Sequence, residues 1–363
     1  MTTVLITGGS GFIGSHLVRH FLDQTEFSIV NVDKLTYAAV TLPGEISDPD
    51  GRYAFEQTDI CDSQAFRQVL AKHRPTAIMH LAAETHVDRS LDAPAQFFRT
   101  NIEGTFNVIE EATNYWKALP AGRAESFRLL VVSTDEVFGD LGTSGQFDED
   151  SAYRPNSPYA ASKAAGDHLA RAWHRSLGLP VIVSHCSNNY GQRQTPDKLI
   201  PKVITNALRG KAIPIYGDGS QVRDWVWVED HAKGLAAALA RGRAGQHYLF
   251  GGGAEVSNLE LARTICDRLD HHDPNPGFGQ RRQLIKMVED RPGHDQRYAI
   301  DWQKAAHELN WRPKVSMQTG LDNTIRWFLD NRHWWEPRLL YHDMDQRLGL
   351  TRTGPNQVET SSK

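Results

Sequence analysis

A glycine-rich turn near the N-terminus constrains the fold of this chain more than any other stretch. Residues 3–7 have the sequence Thr-Val-Leu-Ile-Thr, and Gly8, Gly11 and Gly14 follow directly. Apolar residues at helical spacing then predict a helix over residues 12–23. Strand, glycine turn and helix in this order are typical of dinucleotide binding, since glycines let the backbone approach a pyrophosphate at the positive helix end. The spacing is GxxGxxG, and a tight turn without a ligand is the alternative.

An acidic residue after the second predicted strand bears on the choice of nucleotide. Residues 28–32 predict a strand that ends in Asp33, about 20 residues past the glycines, where a carboxylate can accept hydrogen bonds from the adenosine ribose. A carboxylate would repel a 2′-phosphate, so NAD is favoured over NADP. The alternative is that Asp33 is a helix cap or an ordinary loop charge. After the third predicted strand, residues 52–55, Asp59 either flanks the adenine or caps a helix predicted over residues 63–73.

Strands and helices continue to alternate as far as residue 190. The pattern predicts strands over residues 77–83, 129–132 and 179–185, and helices over residues 94–116 and 157–177. Such alternation indicates an α/β fold with a Rossmann-type, doubly wound parallel sheet. We assign residues 1–190 to the nucleotide-binding domain, with some later segments returning to it. A smaller C-terminal substrate-binding lobe follows over residues 191–350.

The second half of the chain has a less regular pattern. Loops are predicted at residues 195–198, 213–219 and 223–225, and little order is expected at 271–279. A helix over residues 230–240, a strand over 246–251 and a helix near 259–269 are also expected. Residues 351–363 are predicted to form a polar tail.

Tyr159 and Lys163 lie four residues apart on a predicted helix and therefore share a face. A phenol has an ordinary pKa near 10, and a nearby ammonium and a positive nicotinamide ring would both favour the phenolate. Tyr159 could then take a hydroxyl proton while an alcohol is oxidised, beside a hydroxyl from Ser133 or Thr134 at the preceding strand end. A surface Tyr and Lys is the alternative.

Asp135 and Glu136, which come directly after that strand, suggest an additional step. Alcohol oxidation needs no paired carboxylates, whereas an elimination needs a base for a carbon-bound proton and an acid for a leaving hydroxyl. A solvated loop pair is the alternative. Downstream, Arg223, Arg291 and Lys198 are candidates for binding a diphosphate, with ordinary surface charges as the alternative.

The bulk properties exclude several classes of function. The chain has 363 residues and a net charge of −4, which gives no electrostatic case for nucleic acid. Cys61, Cys186 and Cys266 lack metal-ligand spacing and fit a reducing compartment, so we expect no metal and a cytoplasmic location. The chain begins directly in a strand and has no apolar run near the ~20 residues of a membrane span, so neither a signal peptide nor a membrane segment is expected.

Taken together, these motifs resemble the extended short-chain dehydrogenase/reductase family and, within it, the dTDP-glucose 4,6-dehydratases, over almost the whole chain. The matching stretches are residues 8–14, 33–38, 82–90, 133–139, 159–163, 186–191, 198–201, 223–225 and 290–295. The resemblance implies a lyase that uses NAD. Its reaction would oxidise C4 of a nucleotide-linked glucose, eliminate water across C5 and C6, and reduce C6.

The resemblance also implies roles for individual residues. Tyr159 with Thr134 and Lys163 would serve the oxidation of C4, Glu136 would remove the C5 proton, and Asp135 would protonate the C6 hydroxyl. Together with the glycines and Ser133, the NAD site would contain Phe12, Ile13, Asp33, Lys34, Thr36, Asp59, Ile60, Leu81, Ala82, Ala83, Thr85, Thr100, Tyr159 and Lys163. The sugar-nucleotide site would contain Thr85, Thr134, Asn188, Lys198, Leu199, Pro214, Tyr216, Arg223, Asn258, Arg291 and Tyr298. A homodimer paired through the helices at residues 94–116 and 157–177 is also implied.

The chain departs from the family pattern in places that bear on specificity. Ala39-Val40 replaces the usual Gly-Asn, residues 192–196 lack the usual aromatic residue, and the 271–279 segment is longer. A dehydratase for a UDP-, GDP- or CDP-linked sugar and a nucleotide-sugar 4-epimerase therefore stay open as alternatives. A non-catalytic NAD-binding regulator is a third, although it would have no need of the four residues Asp135, Glu136, Tyr159 and Lys163.

Overall fold

A computed structural model of the chain describes residues 2–274, 277 and 279–340; the predicted polar tail and part of the 271–279 segment lie outside them. The strands are β1 (Thr3–Thr7), β2 (Ser28–Val32), β3 (Tyr53–Glu56), β4 (Ala77–His80), β5 (Arg128–Thr134), β6 (Val181–Cys186), β7 (Asn188–Tyr190), β8 (Ile213–Tyr216), β9 (Val222–Trp227), β10 (His247–Phe250), β11 (Glu255–Ser257) and β12 (Ile285–Val288).

The α-helices are α1 (Phe12–Gln24), α2 (Ser63–His73), α3 (Val87–Asp92), α4 (Pro94–Phe98), α5 (Thr105–Lys117), α6 (Ala121–Ser126), α7 (Pro158–Leu177), α8 (Leu199–Leu208), α9 (Val228–Arg241), α10 (Asn258–His272), α11 (Gln303–Leu309), α12 (Met317–Asp330) and α13 (Arg332–Trp335). Short 3-10 turns occupy Pro43–Glu45, Asp135–Phe138, Arg281–Leu284 and Pro337–Leu340. In the part of the chain described, no helix is both long and apolar enough to span a bilayer.

Seven strands form a parallel sheet in the spatial order β10-β6-β5-β4-β1-β2-β3. The order reverses between β1 and β4, so the carboxyl ends of these two strands open a crevice of the kind in which α/β proteins bind ligands. The two faces of the sheet are covered by apolar clusters. One includes Leu17, Phe21 and Leu235 from α1 and α9, and the other includes Val108 and Ala170 from α5 and α7. The Rossmann-type parallel sheet predicted from the sequence is therefore confirmed.

The ends of α7 show why this stretch becomes a long helix. The Ser157 hydroxyl accepts a hydrogen bond from the Ala160 N–H, and Pro158 occupies the first turn, where its missing N–H is not needed. Gly178 ends the helix with a left-handed backbone, φ 77°. The helix lies against β5 and β6 and buries Tyr159 and Lys163 on its inner face.

The C-terminal lobe is built around β9. Strand β7, immediately after β6, pairs parallel with β9, and β11 pairs antiparallel with it; β8 and β12 form a separate parallel pair. Helices α8, α10 and α12 contribute apolar residues to a common core with these strands, among them Ile204, Ile265 and Ile325. Because only one residue separates β6 from β7, the lobe lies directly beside the carboxyl edge of the main sheet.

The structure corrects several secondary-structure predictions in this lobe. The loops predicted at residues 213–219 and 223–225 are wrong, because β8 and β9 occupy much of them. Helices α8, α11 and α12 had not been predicted, and residues 271–272 belong to α10. The single helix predicted over residues 94–116 is interrupted by the π-helical segment Arg99–Gly104. Both α9 and β10 return to the main sheet although they follow residue 191.

Candidate active site

Two grooves meet at the carboxyl edge of the main sheet. The first groove runs along the ends of β1, β2, β4 and β5, and all of the residues assigned to the cofactor line it: Gly8, Gly11, Phe12, Ile13, Gly14, Asp33, Lys34, Thr36, Asp59, Ile60, Leu81, Ala82, Ala83, Thr85, Thr100, Ser133, Tyr159 and Lys163. The second groove lies between this edge and the lobe. Thr85, Glu136, Asn188 and Lys198 line both grooves, which places the junction beside the predicted catalytic residues.

The glycine turn is too tightly closed to hold a side chain at position 14. A Cβ on Gly14 would lie 2.1 Å from the Gly8 carbonyl oxygen, so the turn closes only with glycine at this position. Gly11 precedes α1, and no side chain caps this helix. The first N–H groups of α1 are therefore open to an anion at the positive helix end, which fits a dinucleotide pyrophosphate.

Asp33 is fixed at the end of β2 by two backbone donors. Its carboxylate accepts hydrogen bonds from the N–H of Ser10 at 3.1 Å and of Leu35 at 2.8 Å, while burial raises its pKa. Asp59 pairs with Lys34 at 3.5 Å. The helix-cap alternative for Asp59 is wrong, because Asp62 caps α2 by accepting from Ala65 at 2.9 Å.

Thr134 organises the turn that follows β5. Its hydroxyl accepts a hydrogen bond from the Glu136 N–H at 3.4 Å and donates to the Asp135 carboxylate at 3.3 Å. The resulting 3-10 turn ends at Gly139, whose φ of 82° favours glycine. The solvated-pair alternative is wrong, because Asp135 is only 2% exposed and Glu136 lines both grooves.

The electrostatics of the two carboxyl groups favour proton transfer. Burial, followed by repulsion from Glu136 and Asp224, raises the pKa of Asp135 well above its ordinary value. Burial also raises the pKa of Glu136, although Arg291 and Arg223 act against it. A carboxyl group that keeps its proton near neutral pH can act as a general acid, and its neighbour, beside two arginines, can act as a base.

Tyr159 and Lys163 both lie at the floor of the first groove. The Lys163 ammonium donates to the Val132 carbonyl oxygen at 2.8 Å. The alternative of surface residues is wrong, because both side chains are buried. Burial, then Glu136, raises the pKa of Tyr159 well above its usual value, and a hydrogen bond with the Thr134 hydroxyl lowers it in part. The predicted lowering of the Tyr159 pKa by Lys163 is not the dominant effect, so a phenolate at this position needs additional positive charge nearby.

The second groove contains the residues assigned to the sugar nucleotide: Thr85, Asn188, Lys198, Leu199, Pro214, Tyr216, Arg223, Asn258, Arg291 and Tyr298. Thr134 lines only the first groove. Two of the set are fixed by Asp88, which had been assigned no role. Its carboxylate accepts from Arg291 at 2.8 Å and from the Tyr216 hydroxyl at 2.9 Å. Burial works against this anion, but Arg291 lowers the pKa of Asp88 overall.

Positive charge is concentrated in the second groove. Arg223 is buried, donates to the backbone carbonyls of Val222 at 2.7 Å and Asp295 at 2.8 Å, and covers the ring of Tyr298 at 4.3 Å. Lys198 donates to the Thr85 carbonyl at 3.1 Å and precedes α8, whose N-terminus has no side-chain cap. Two cationic side chains and an open helix N-terminus suit a diphosphate.

Other groove residues were missed by the sequence analysis. In the first groove they are Val32, Ala38, Ala39, Thr58, Glu84, Val132, Cys186, Ser187, Asn189, Gln194 and Thr195; in the second they are His86, Val87, Asp88, Asp197, Lys202, Ile215, Trp225 and His294. For most of them, a position at or near a strand end was the available signal; Lys202 lies within α8 and Trp225 inside β9, so neither carried that signal. Within the described ranges, no cluster of three or more His, Cys, Asp or Glu side chains is arranged to hold a metal.

Comparison with known proteins agrees with this geometry. The family model described as GDP-mannose 4,6 dehydratase matches residues 5–324. A dTDP-glucose 4,6-dehydratase of Neisseria meningitidis serogroup B is 50% identical over 353 residues, which cover 96% of this chain and 99% of that protein. The chain belongs to the dTDP-glucose 4,6-dehydratase family.

Two solved structures of dTDP-glucose 4,6-dehydratases have the same fold. The enzyme from Streptomyces venezuelae, with NAD and TYD bound, is 43% identical and has a TM-score of 0.83, covering 93% of this chain and 100% of its own. The enzyme from Bacillus anthracis str. Ames, in complex with NAD, is 38% identical with a TM-score of 0.81 and the same coverage. The family resemblance inferred from the sequence is thereby confirmed.

Proposed function

We propose that this chain is a hydro-lyase that converts dTDP-glucose to dTDP-4-keto-6-deoxyglucose with NAD as its cofactor. The observation that carries the proposal is the Asp135–Glu136 pair, which lies beside Tyr159 where the two grooves meet. Membership of the dTDP-glucose 4,6-dehydratase family and the solved relatives with NAD bound support the same assignment. NAD, when bound in the first groove, would supply the reversible two-electron oxidation of the sugar.

The side chains at the junction divide the proton transfers among them. Tyr159, assisted by Thr134 and Lys163, accepts the proton of the C4 hydroxyl during oxidation. Glu136 removes the C5 proton, which the neighbouring ketone makes acidic. Asp135, whose pKa is raised by burial, donates the proton that lets the C6 hydroxyl leave as water. Glu136 then returns its proton to C5 as C6 is reduced.

These steps leave one proton to be moved before the next turnover. After product formation Tyr159 carries a proton that it lacked at the start, and Asp135 lacks one that it had. Thr134 hydrogen-bonds to both residues, through its contact with Tyr159 and its 3.3 Å contact with Asp135. The Thr134 hydroxyl therefore offers a direct route by which the proton from Tyr159 reaches Asp135.

The residues assigned to each groove follow from the same proposal. Those of the first groove bind NAD, with the α1 N-terminus at the pyrophosphate and Asp33 at the adenosine ribose. In the second groove, Arg223, Arg291 and Lys198 offset the charge of the sugar nucleotide's diphosphate. We assign residues 1–190, with some later segments returning to them, to the NAD-binding domain and residues 191–350 to the nucleotide-sugar-binding lobe.

The base specificity is tested by a panel of substrates. We expect the protein with NAD to convert dTDP-glucose to a product lighter by one water that carries a 4-keto group, faster than UDP-, GDP- or CDP-glucose. A product of unchanged mass with inverted C4 would favour the 4-epimerase, and preference for another nucleotide would reassign the substrate. Gln194 and Thr195 of the 192–196 loop line the first groove and not the second, so this departure from the family pattern lies on the cofactor side of the site.

A homodimer and a cytoplasmic location belong to the same proposal. Phe98 is 44% exposed and Phe106 is 40% exposed on the α4–α5 surface. They line a shallow depression together with Ile102 and Leu169, the latter on α7. The exposed aromatic residues Phe98 and Phe106, beside Leu169 of α7, support a dimer that pairs through the helical segments at residues 94–116 and 157–177.

A further inference from the structure

A buried polar cluster around Asp167 and His185 lies behind the active-site strand and reaches the first groove only through Ser133. The Asp167 carboxylate on α7 accepts a hydrogen bond from the Ser133 hydroxyl at 2.7 Å through its Oδ2 atom. The same oxygen contacts the Tyr153 hydroxyl at 3.3 Å and Nε2 of His185 at 3.1 Å. Asp167 and His185 are almost completely buried. Neither residue lines a groove, and the proposed mechanism uses neither of them.

Asp167 continues the catalytic face of its helix. It follows Lys163 by one helical turn, as Lys163 follows Tyr159. Lys163 donates to the Val132 carbonyl oxygen at 2.8 Å, and Asp167 accepts from Ser133, the next residue of β5. Two successive turns of α7 are therefore fastened to two consecutive residues of β5, immediately before Thr134.

The second carboxylate oxygen of Asp167 indicates more than a structural anchor. This Oδ1 atom is buried and has no hydrogen-bond partner among the described residues. A buried carboxylate that is only half hydrogen-bonded is unfavourable unless a positive charge is close. Nδ1 of His185 likewise has no hydrogen-bond partner among the described residues.

Lys163 lies one turn earlier on the same buried face of α7, and Asp167 is the carboxylate that acts on its charge. Burial lowers the pKa of Lys163, and Asp167 is the largest influence that raises it. The other titratable groups around Lys163 are Tyr159 on its own helix, Cys186 on β6 and His80 on β4. Burial shifts each of their pKa values toward the neutral form, so before NAD binds none of them replaces Asp167 as a counter-charge.

We propose that Asp167 is a positioning residue of the active site, which fastens the end of β5 to α7 and keeps Lys163 in its ammonium form. The inference rests on the proposed function only in giving Lys163 a role in cofactor binding. The Asp167 carboxylate, which is buried outside the grooves, would thereby control the charge of Lys163 at the cofactor site.

The Asp167→Asn variant separates charge from shape. The amide keeps the size and one acceptor for Ser133, but the anion is lost. NAD⁺ affinity, measured by calorimetry from pH 6 to 10, should decline at high pH as Lys163 loses its proton; this decline is the alkaline limb. In the variant, we expect the alkaline limb to lie about one pH unit or more lower. The alkaline limb of turnover should move with it. An unchanged limb in both profiles would overturn the proposal, even if the variant were less stable.

A matched variant tests whether lost hydrogen bonds alone cause the shift. Tyr153→Phe removes one donor to the same carboxylate oxygen but leaves the charge, so its limb should coincide with that of the unmodified protein. The NAD⁺ titration requires no substrate. A protein that binds NAD⁺ with the expected pH dependence but dehydrates no sugar would therefore refute the proposed function and leave the role of Asp167 supported.

A stability measurement covers the case in which Asp167→Asn folds poorly. Lys163→Met and Asp167→Asn each leave one buried charge without its partner. The double variant Lys163→Met/Asp167→Asn contains neither charge. We expect the double variant to melt at a higher temperature than the two single effects predict when added. Additive shifts of the melting temperature would show that the two side chains are not coupled and would contradict the proposal.

Discussion

At the scale of single residues, the proposed chemistry depends on three neighbours, Thr134, Asp135 and Glu136, at the start of one short turn. We expect Glu136→Gln to lower turnover by roughly 10²- to 10⁴-fold, because the amide cannot accept the C5 proton. Oxidation at C4 should survive, since it uses Tyr159 and not Glu136. The measurement is deuterium uptake at C5 in heavy water, compared with the transient absorbance of reduced nicotinamide. Unchanged deuterium uptake would remove Glu136 from the role of base.

The Thr134 hydroxyl is expected to act twice in each turnover. Its hydrogen bond lowers the pKa of Tyr159, so Thr134→Val should raise that pKa and slow C4 oxidation by roughly 10- to 100-fold. If the hydroxyl also returns the proton to Asp135, later turnovers should slow more than the first and give a burst of one product per site. Thr134→Ser, which keeps the hydroxyl, is the control and should show no burst. Equal slowing of first and later turnovers in Thr134→Val would contradict the return route.

At the scale of elements, the joint between β1 and α1 gives a prediction on cofactor affinity. A Cβ at position 14 would lie 2.1 Å from the Gly8 carbonyl oxygen, so Gly14→Ala must open the turn. Overpacking of this kind costs about 1–3 kcal/mol, and about 1.4 kcal/mol expressed in binding is a tenfold loss of affinity for NAD. Calorimetric titration measures it. Gly122→Ala, where an added Cβ meets nothing within 4 Å, should bind normally; equal affinities would show that the turn tolerates a side chain.

Elements with a strong local signal could be predicted from the sequence. The β1 strand, the glycine turn and α1 carry their periodicity and their breaker residues within one short window, and α7 carries its own cap. By contrast, β8 contains Pro214, which removes a backbone donor, and its partner β12 lies about seventy residues later in the chain. Helix α8 contains Pro201 and several β-branched residues, which weaken a helical pattern; packing in the lobe core outweighs that weakness.

The same distinction applies to the candidate site. The proposed catalytic residues lie in two compact motifs that mark strand and helix ends, so their placement at one edge of the sheet could be predicted. The role of Asp88 could not, because Tyr216 and Arg291 reach it only after the lobe has folded against the main sheet. The raised pKa of Tyr159 was missed for a related reason, since burial depends on everything packed around the phenol.

At the scale of the whole molecule, buried histidines couple stability to pH. His80 hydrogen-bonds to Thr7 at 2.7 Å and to Thr105 at 3.0 Å, which joins β1, β4 and α5. Burial, with Lys163 adding to it, lowers its pKa from 6.5 to about 3. The unfolded chain therefore takes up a proton below pH 6.5 that the folded protein does not, so stability present above pH 6.5 is lost as the pH falls toward 3.

The His80→Gln variant should lack this contribution. Between pH 6.5 and 5 we expect its free energy of unfolding to fall less than that of the unmodified protein, by roughly 2 kcal/mol. Urea unfolding at a series of pH values measures the difference. His307→Gln, which changes an exposed ring on α11, is the control and should follow the unmodified protein. If all three proteins lose stability in parallel, protonation of His80 in the unfolded chain is not a source of the dependence.

The proposed dimer also belongs to the whole molecule, because the exposed aromatic surface shares no residue with either groove. Stable interfaces bury about 1,200–2,000 Å², so two charges at their centre should separate the subunits. We expect the Phe98→Glu/Phe106→Glu variant to sediment as a monomer of 40.7 kDa, and the unmodified protein at twice that mass. Met287→Glu is the matched control, since Met287 is 48% exposed on β12 in the lobe and should not affect assembly. A monomeric unmodified protein would refute the dimer, and a variant that stays dimeric would show that the interface lies elsewhere.

Because α7 carries Tyr159 and Lys163 on its inner face and Leu169 beside the aromatic surface, we also expect the monomeric variant to bind NAD less tightly.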